Sequence, residues 1–286
     1  MLADTGLLLQ HARENHYAIG AFNIYNLEGA LAVVQTAEEL HSPVILQLLP
    51  SALNLGGRPL IAMCLALGQE STVEVAVHLD HCSSPKQIEF ALQSGLTSIM
   101  ADGSAMTYDD NIRFTRDMVE KAKQVKGCVE AELGRLTGEE DGVSLYGQEG
   151  LMTNPEQAAD FIAQTGVAAL AVCIGNVHGR YLQPPQLDFK LLSTIAERVT
   201  VPLVLHGTSG LPDDMIRQAI RLGVCKFNVN TEIRAAYTGA LVESYANVRP
   251  IELVSLMQSA IDAMKKAVQA KITLFCSTDK TSTKLS

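Results

Sequence analysis

The chain has 286 residues, of which 47% are hydrophobic, and its 22 basic and 31 acidic side chains give a formal net charge of -9. This balance disfavours nucleic acid or an anionic membrane as a main partner, because each requires a basic surface. No apolar run approaches the roughly 20 residues of a membrane span, and the amino terminus lacks a signal-peptide pattern. The six cysteines are scattered without a CxxC pair, so we expect a soluble cytoplasmic protein with reduced cysteines.

Eight short apolar runs recur along the chain, and most are rich in Val, Ile, Leu and Ala. They cover residues 17–22, 43–49, 75–79, 97–100, 128–133, 168–174, 202–206 and 225–229. Short runs bounded by turn residues are typical of strands that are buried on both faces of a parallel sheet. A helical pattern follows each run, most clearly at 27–41, 109–125, 154–166 and 212–223.

Eight strand–helix repeats predict an α/β protein, a closed (β/α)8 TIM barrel in which residues 1–286 form a single domain. The alternative is a doubly wound open sheet, but the glycine-rich turn that usually follows its first strand is missing here. The longest irregular segment, 134–153, is glycine-rich and acidic, which is typical of a functional loop. The polar tail at 277–286 is expected to be frayed.

Three histidines lie at or just beyond the carboxyl ends of predicted strands, at the end where the catalytic groups of a TIM barrel lie. His81 and His178 come after the third and sixth strands, and His206 ends the seventh, with no matching cysteines. This pattern indicates a zinc site of three imidazoles with one open position. His78 is expected on the opposite side of its strand from Asp80, so it is assigned a structural role. The same role is assigned to the histidines at helix or loop positions, which are His11, His16 and His41.

Two segments after the last two predicted strands have the composition of phosphate-binding turns. HGTSG at 206–210 precedes a helix predicted from about Pro212, and NVNT at 228–231 leads into another helix. Backbone N–H groups at glycines and at helix amino termini bind phosphate, and this fold often has phosphate sites after strands seven and eight. Either segment alone is explained equally well as a turn with a helix cap, but the two together favour a phosphate site.

Nine motifs in chain order closely resemble the class II fructose-bisphosphate and tagatose-bisphosphate aldolase family, over the region from Tyr17 to Lys271. They are AFN (21–23), SPVI (42–45), HLDH (78–81), DGS (102–104), VEAELG (129–134), GEEDG (138–142), GNVHG (175–179), VPLVLHGTSG (201–210) and KFNVNTE (226–232). The resemblance implies reversible zinc-dependent cleavage of a ketose 1,6-bisphosphate, of the fructose or tagatose type, to dihydroxyacetone phosphate and an aldehyde. It also implies a homodimer or a homotetramer.

The resemblance further implies which residues bind metal and move protons. The catalytic zinc would be bound by His81, His178 and His206. Asp102 and Glu132 would form a nearby cluster that orients ligands or holds a second cation. Asp80 would be the acid/base that takes the proton of the aldol hydroxyl during cleavage. Glu140 in the long loop would move the proton at the nucleophilic carbon, with Glu139 as the alternative.

The substrate contacts implied by the resemblance lie on four loops. Asn23 and Asn228 would touch the substrate. The phosphate of dihydroxyacetone phosphate would be held by Gly179, Gly207, Ser209 and Thr231, together with a monovalent cation, Na+ or K+.

Two positions depart from the family pattern where the distal phosphate of the substrate would bind. Leu49 stands where many relatives have a serine or threonine hydroxyl, and Gln269 stands where relatives can have an arginine. Leucine cannot donate a hydrogen bond, so either Ser51 takes over this role or the distal group is not the usual phosphate. A different phosphorylated sugar or sugar acid is therefore an alternative substrate.

Three other functions remain open at this point. A Schiff-base aldolase would need a lysine in the barrel, and Lys226 is the only lysine within a predicted strand. A metal-dependent isomerase or epimerase would share the enediolate chemistry but release no three-carbon product. A non-catalytic subunit, which supports another aldolase or binds sugar phosphate, would not need both the metal ligands and the acid/base that this sequence retains.

Overall fold

The computed structural model describes residues 1–140, 143–144, 150–179, 181, 183–247 and 252–281, and for 139, 140, 143, 144 and 247 it describes the backbone alone. The strands in these residues are β1 (Ile19–Asn23), β2 (Val44–Leu48), β3 (Val75–Cys82), β4 (Ser98–Ala101), β5 (Cys128–Leu133), β6 (Glu139–Glu140), β7 (Val143–Ser144), β8 (Ala169–Val172), β9 (Leu203–Leu205) and β10 (Val224–Val229).

Eight of these strands form a closed parallel barrel in the order β1-β10-β9-β8-β5-β4-β3-β2. Each barrel strand coincides with one predicted apolar run, so the predicted (β/α)8 barrel is confirmed. The other two strands, β6 and β7, pair as an antiparallel hairpin. This hairpin lies within the segment 134–153 that the sequence predicts to be irregular.

The helices in the described residues are α1 (Thr5–Glu14), α2 (Leu27–Glu39), α3 (Pro50–Glu70), α4 (Pro85–Gln93), α5 (Tyr108–Lys123), α6 (Pro155–Thr165), α7 (Phe189–Arg198), α8 (Asp213–Arg221), α9 (Thr231–Asn247) and α10 (Leu253–Leu274). Six of them start after a side chain that accepts a hydrogen bond from the backbone N–H three residues later, which satisfies a donor in the first turn. These caps are Asp4, Asn26, Ser84, Thr107, Asn154 and Asp188.

The last strand–helix unit carries an extra helix that completes the outer layer. α10 follows α9 without an intervening strand in the described residues and packs against both α9 and α2. Because α2 belongs to the first unit, α10 joins the two ends of the helical ring.

α3 has the length and mean hydropathy of a membrane-spanning helix. It is broken at Gly57, where φ is 54°, and it contains Pro59 next to that break. Leu60, Ile61 and Cys64 are buried in the apolar layer between the helices and the barrel strands. The apolar side of α3 therefore belongs to the protein core, as expected for an outer helix of this fold.

The barrel interior is apolar at its amino-terminal end and polar further along the strands. The apolar part consists of residues of α1 and the strand residues that pack against them. The α1 residues are Leu8, Leu9 and Ala12, and the strand residues are Ile19, Ala21, Ile45, Ala76, Ala169, Ala171, Val204 and Cys225. Buried polar side chains follow on the same strands, among them Asn23, Gln47, Glu130 and Lys226. Polar groups therefore accumulate toward the carboxyl ends of the strands, where enzymes of this fold bind substrate.

The carboxyl-terminal tail packs against the loops before β2 and β3. The Asp279 backbone N–H donates to the Leu40 carbonyl at 3.0 Å, and the Thr281 N–H donates to the His41 carbonyl at 3.0 Å. The Thr281 hydroxyl also donates to Glu74. The prediction of a frayed tail is therefore wrong for residues 277–281, and residues 282–286 lie outside the described part of the chain.

Candidate active site

A β-bulge near the end of β3 brings two neighbouring residues to the site. Leu79 pairs with Ile99 and Cys82 with Ala101, so three steps along β3 match two steps along β4. Within the bulge His81 has a φ of 42°, a left-handed conformation that is uncommon for residues other than glycine. Asp80 bonds two asparagines of the barrel interior and His81 contacts two other histidines, although neighbouring strand residues normally point to opposite faces.

His78 precedes the bulge, so the regular alternation of β3 decides its position. This side chain is completely buried inside the barrel, with Nδ1 2.7 Å from Ser98 Oγ and Nε2 3.8 Å from Glu130 Oε2. Residues two apart on a strand share a face, so His78 lies on the same side as Asp80, and the prediction of opposite sides is wrong. Burial, assisted by the Lys226 ammonium, lowers the pKa of His78 to about 4, so this imidazole is neutral at pH 7.

Three imidazoles converge at the carboxyl ends of the strands. His81, His178 and His206 each present a ring nitrogen, and these nitrogens all lie within 4.8 Å of one another. His81 Nε2 and His206 Nδ1 are 2.7 Å apart, and the ring centroids of His81 and His178 are separated by 5.0 Å. Zinc–nitrogen bonds are about 2.0–2.1 Å long, so one ion can reach all three nitrogens after small adjustments.

Carboxylates orient two of these imidazoles by binding the ring nitrogen that does not face the neighbouring histidine. His81 Nδ1 lies 2.8 Å from Asp102 Oδ2, and His206 Nε2 lies 2.9 Å from Glu130 Oε1. A carboxylate that accepts from one ring nitrogen leaves the other nitrogen unprotonated and available to a metal. Burial lowers the pKa of His206, and the nearby His81 lowers it further, which also favours a neutral ring.

Both of these carboxyl groups are held in the ionised form. Burial acts to raise the pKa of Asp102, but hydrogen bonds from His81 and Ser104 outweigh it and hold that pKa well below its usual value. Burial likewise acts to raise the pKa of Glu130, but the Lys226 ammonium and the hydrogen bond from His206 hold it well below its usual value. Anionic carboxylates are therefore available to both imidazoles.

Glu132 lies on the same face of β5 as Glu130. Its Oε2 atom is 3.9 Å from His81 Nδ1 and 3.9 Å from His206 Nδ1. With His81 and Asp102 it forms a second group whose ligand atoms lie within 4.8 Å of one another. The structure therefore brings all five residues predicted to bind metal into one cluster.

Asp80 directly precedes His81 on β3 and is fully buried. Its Oδ1 accepts from the Asn228 amide at 2.9 Å, and its Oδ2 accepts from the Asn23 amide at 3.2 Å. Asn23 in turn accepts from Gln47 at 2.8 Å. The two asparagines that the sequence assigns to substrate therefore also orient the carboxylate of Asp80.

The predicted phosphate-binding residues line one cavity beside the histidines. Gly179, Gly207, Ser209 and Thr231 all contribute to it, and Thr231 is the first residue of α9. Gly207 has a φ of 63°, and a Cβ atom built on it would collide with the Val177 carbonyl oxygen. Only glycine fits this backbone without strain, and its missing side chain leaves room for a ligand close to the main chain.

We expect Gly207→Ala to lower the free energy of unfolding by at least about 1–2 kcal/mol, the cost of a left-handed backbone for a residue with a Cβ. The collision with Val177 adds to this cost, and affinity for inorganic phosphate should fall with it. Urea unfolding and phosphate titration would measure both. Gly239→Ala is the matched control, because Gly239 is exposed within α9 and a Cβ there would touch nothing within 4 Å. Equal unfolding midpoints for the two variants would contradict the prediction.

Two residues that the sequence analysis leaves without a role join the loops of His178 and His206. The Asn176 amide donates to the His206 carbonyl at 3.0 Å, and its Oδ1 accepts from the Ile174 N–H at 2.8 Å. The Tyr181 hydroxyl donates to the Gly207 carbonyl at 2.8 Å. Asn176 stands within the GNVHG motif, but only the folded chain shows which carbonyl it meets.

The long loop after β5 begins beside His178. The His178 N–H donates to the Thr137 carbonyl at 2.8 Å, and Gly138 forms a parallel bridge with His178. A cavity of about 510 Å³ adjoins this point and is lined by Thr137, Gly138, Gly175, His178 and Tyr181, among others. The backbone of Glu140 belongs to β6, but its side chain and that of Glu139 lie outside the described part of the structure.

Comparison with known proteins assigns the family. The model of class II fructose-bisphosphate aldolases matches residues 3–280. Over 274 residues the chain is 43% identical to the D-tagatose-1,6-bisphosphate aldolase subunit GatY of Klebsiella oxytoca, covering 95% of this chain and 96% of that protein.

Solved structures agree with this assignment. The YdjI aldolase of Escherichia coli K12 is 36% identical with a TM-score of 0.89, covering 99% of this chain and 100% of that chain. A Coccidioides immitis protein assigned as a fructose-1,6-biphosphate aldolase is 34% identical with a TM-score of 0.90, covering 97% of this chain and 98% of that chain. Since both the family model and these relatives extend over nearly the whole barrel, the chain belongs to the class II fructose-bisphosphate aldolase family.

Proposed function

We propose that this protein is a zinc-dependent aldolase that reversibly cleaves a ketose 1,6-bisphosphate, of the fructose or tagatose type, to dihydroxyacetone phosphate and an aldehyde. The observation that carries the proposal is the convergence of three imidazoles beside the buried carboxylate of Asp80. An aldol cleavage needs both a group that stabilises the developing enediolate and a base that accepts the hydroxyl proton. This cluster contains candidates for both.

The residues present fit a zinc ion. His81, His178 and His206 would hold it, because nitrogen donors in this number leave a position open for substrate. When bound, zinc supplies Lewis-acid polarisation of the substrate oxygens and stabilises the charge that develops on them. Asp102 and Glu130 would keep the imidazoles oriented, and Asp102 with Glu132 would hold a second cation.

The remaining steps belong to side chains of the chain itself. Asp80 accepts the proton of the hydroxyl on the carbon that becomes the aldehyde, and it returns that proton in the condensation direction. The two amide donors on its oxygens hold the carboxylate in one orientation, which reduces the reorganisation needed in the transition state. Glu140 moves the proton at the nucleophilic carbon. Gly179, Gly207, Ser209 and Thr231 bind the adjacent phosphate, with a monovalent cation.

The surroundings of Lys226 argue against the Schiff-base route. This side chain is 0% exposed, and its Nζ lies 2.9 Å from Glu130 Oε2 and 2.8 Å from Asn228 Oδ1. A Schiff base requires an uncharged amine that can reach the substrate carbonyl. An ammonium that is ion-paired below the histidines does not meet this requirement.

The aldehyde half of the substrate is the part least determined by the family assignment. Leu49 is 5% exposed at the start of α3, and the exposed Ser51 stands two residues later. The Klebsiella relative is named for tagatose 1,6-bisphosphate and the Coccidioides relative for fructose 1,6-bisphosphate, so we propose both as substrates. A differently substituted sugar phosphate or sugar acid remains the second candidate, because Leu49 offers no hydrogen bond to a distal phosphate.

The proposal also covers assembly and location. We propose a homodimer or homotetramer on the basis of the family, and a cytoplasmic location on the basis of six scattered cysteines without a CxxC pair. The Klebsiella relative is described as an aldolase subunit, so a non-catalytic role beside another subunit is the alternative from a different class. Retention of the three imidazoles together with Asp80 favours catalysis, since a binding subunit needs no acid/base.

A coupled assay for dihydroxyacetone phosphate would test the proposal. Purified protein of measured zinc content is given fructose 1,6-bisphosphate, tagatose 1,6-bisphosphate and singly phosphorylated ketoses, with and without a chelator. We expect release that the chelator abolishes and that added zinc restores. Release that survives complete zinc removal would contradict zinc dependence. No release from any substrate by zinc-loaded protein would contradict the aldolase proposal.

A further inference from the structure

Lys226 occupies an unusual position for a lysine, inside the barrel and below the histidine cluster. The pairing of β10 with β9 shifts between Val224 and Lys226, so Cys225 is the extra residue of a bulge. Cys225 belongs to the apolar interior, and Lys226 bonds two polar residues of the interior. The side chain is 0% exposed, so its charge is removed from water and depends on its partners for stabilisation.

The ammonium of Lys226 contacts two partners. Nζ lies 2.9 Å from Oε2 and 3.2 Å from Oε1 of Glu130, and it donates to Asn228 Oδ1 at 2.8 Å. Lysine has three N–H donors and no acceptor. Each of these partner atoms must therefore act as an acceptor toward Lys226.

This requirement determines the orientation of the Asn228 amide. Because Oδ1 must face the Lys226 ammonium, the NH₂ group must face the other way. That group donates to Asp80 Oδ1 at 2.9 Å. Amide flips are normally difficult to assign, but a donor-only partner on one side removes the ambiguity. Lys226 thus acts through Asn228 on the orientation of the Asp80 carboxylate.

The same ammonium acts on a metal-site histidine through Glu130. Both oxygens of Glu130 lie within hydrogen-bond distance of the donor-only Lys226 ammonium, so Glu130 acts as an acceptor and His206 donates to it from Nε2, 2.9 Å from Glu130 Oε1. The other nitrogen, Nδ1, is then unprotonated and faces His81 Nε2 at 2.7 Å. The tautomer of His206 that suits a metal is therefore set by a carboxylate that Lys226 neutralises.

We propose that Lys226 is a positioning residue that orients the metal-site His206 through Glu130 and the acid/base Asp80 through Asn228. A single buried ammonium therefore holds both a histidine of the metal site and the acid/base in their orientations. This inference rests on the proposed zinc aldolase function for its catalytic part. It contrasts with a purely structural role, in which Lys226 and Glu130 would only satisfy each other in the barrel core.

Replacing both members of the ion pair by uncharged residues distinguishes the positioning role of Lys226 from a purely structural one. Lys226→Met alone would leave Glu130 as an unpaired buried charge and would destabilise the fold for that reason alone. Lys226→Met combined with Glu130→Gln removes both charges with little change in volume, and such replacements are often neutral for stability. The matched control is Lys121→Met with Glu89→Gln, an ion pair between α5 and α4 on the outside of the barrel.

Four quantities are measured on wild type, the inner double variant and the outer double variant. They are the urea unfolding midpoint, zinc affinity by chelator competition, the visible spectrum of the Co²⁺-substituted protein, and kcat with KM for cleavage. We expect the inner double variant, Lys226→Met with Glu130→Gln, to unfold near the wild-type midpoint. It should bind zinc about 10–100-fold more weakly, the usual effect of losing a residue that hydrogen-bonds a metal ligand. Its cobalt spectrum should change and its kcat should fall at least about tenfold, with KM changing much less.

Wild-type zinc affinity, cobalt spectrum and kcat in the inner double variant would overturn the proposal and leave Lys226 as a core ion pair. If that variant does not fold, Glu130→Asp decides, because it keeps both charges of the buried pair but shortens the side chain that reaches His206. Zinc affinity within about twofold of wild type would then overturn the proposal. The zinc and cobalt measurements do not require turnover. Zinc-loaded wild type without aldolase activity would therefore contradict the proposed function while the metal measurements still test the position of His206.

Discussion

Asp80→Asn is expected to lower kcat for cleavage by about 10²–10⁴-fold, the usual contribution of a positioned acid/base. Asparagine has the size of aspartate but cannot accept the hydroxyl proton at neutral pH. Zinc affinity should change little, because the hydrogen bonds of Asp80 in the described residues go to the amides of Asn23 and Asn228 rather than to imidazoles. Steady-state cleavage and zinc content measured on the same preparation would show this separation.

A sharper test of this variant is the exchange with solvent of the proton on the nucleophilic carbon of dihydroxyacetone phosphate. The proposed mechanism assigns that proton to Glu140 and not to Asp80, so exchange should continue in Asp80→Asn while cleavage is lost. Asp117→Asn, on an exposed position of α5, is the control for removing one negative charge. If Asp80→Asn cleaved substrate as fast as Asp117→Asn, Asp80 would not be the acid/base.

His81→Asn is expected to abolish chelator-sensitive cleavage. It should also weaken zinc binding by more than the 10–100-fold lost when a residue that only hydrogen-bonds a metal ligand is replaced. One of three imidazoles is lost, and the several kcal/mol of charge stabilisation that the metal supplies corresponds to roughly 10²–10⁴-fold in rate. Asparagine is the suitable replacement because His81 has a φ of 42° and asparagine tolerates left-handed backbone better than alanine. Zinc affinity would be measured by chelator competition and cleavage by the coupled assay.

His41→Asn provides a closely matched control for this variant. His41 also has a left-handed backbone, with φ of 47°, but it is exposed before β2 at the opposite end of the barrel strands. We expect it to keep wild-type zinc affinity and cleavage. Full activity of His81→Asn at wild-type zinc affinity would refute the assignment of His81 as a ligand.

The positions of the strands and helices could be predicted from local sequence because their signals are local. A run such as PLVLH marks β9 whatever surrounds it, and Asn154 followed by Pro155 starts α6 by the same capping chemistry as in any protein. The order of repeats then indicates the barrel, since few folds accommodate eight strand–helix units. His81, His178 and His206 could be singled out because each lies at or just beyond the carboxyl end of a predicted strand.

Other features could not be predicted in this way because they depend on contacts between strands far apart in sequence. The simple alternation rule fails for Asp80 and His81, since a bulge against β4 brings both to the site. The role of Glu130 was missed because β5 must be closed against β9 and β10 before its carboxylate meets His206 and Lys226. The sequence shows a glutamate and a lysine on separate strands, without any sign that they form a pair.

By itself, the sequence determined the fold class, the order of its elements and the residue types available at the carboxyl ends of the strands. Periodicity, helix caps and turn residues act within a few positions of the chain, so they can be read without a structure. Only the tertiary structure decided which ring nitrogen faces the metal position and which amide holds Asp80. Those orientations follow from hydrogen bonds between residues up to 148 positions apart, and they exist only once the barrel has closed.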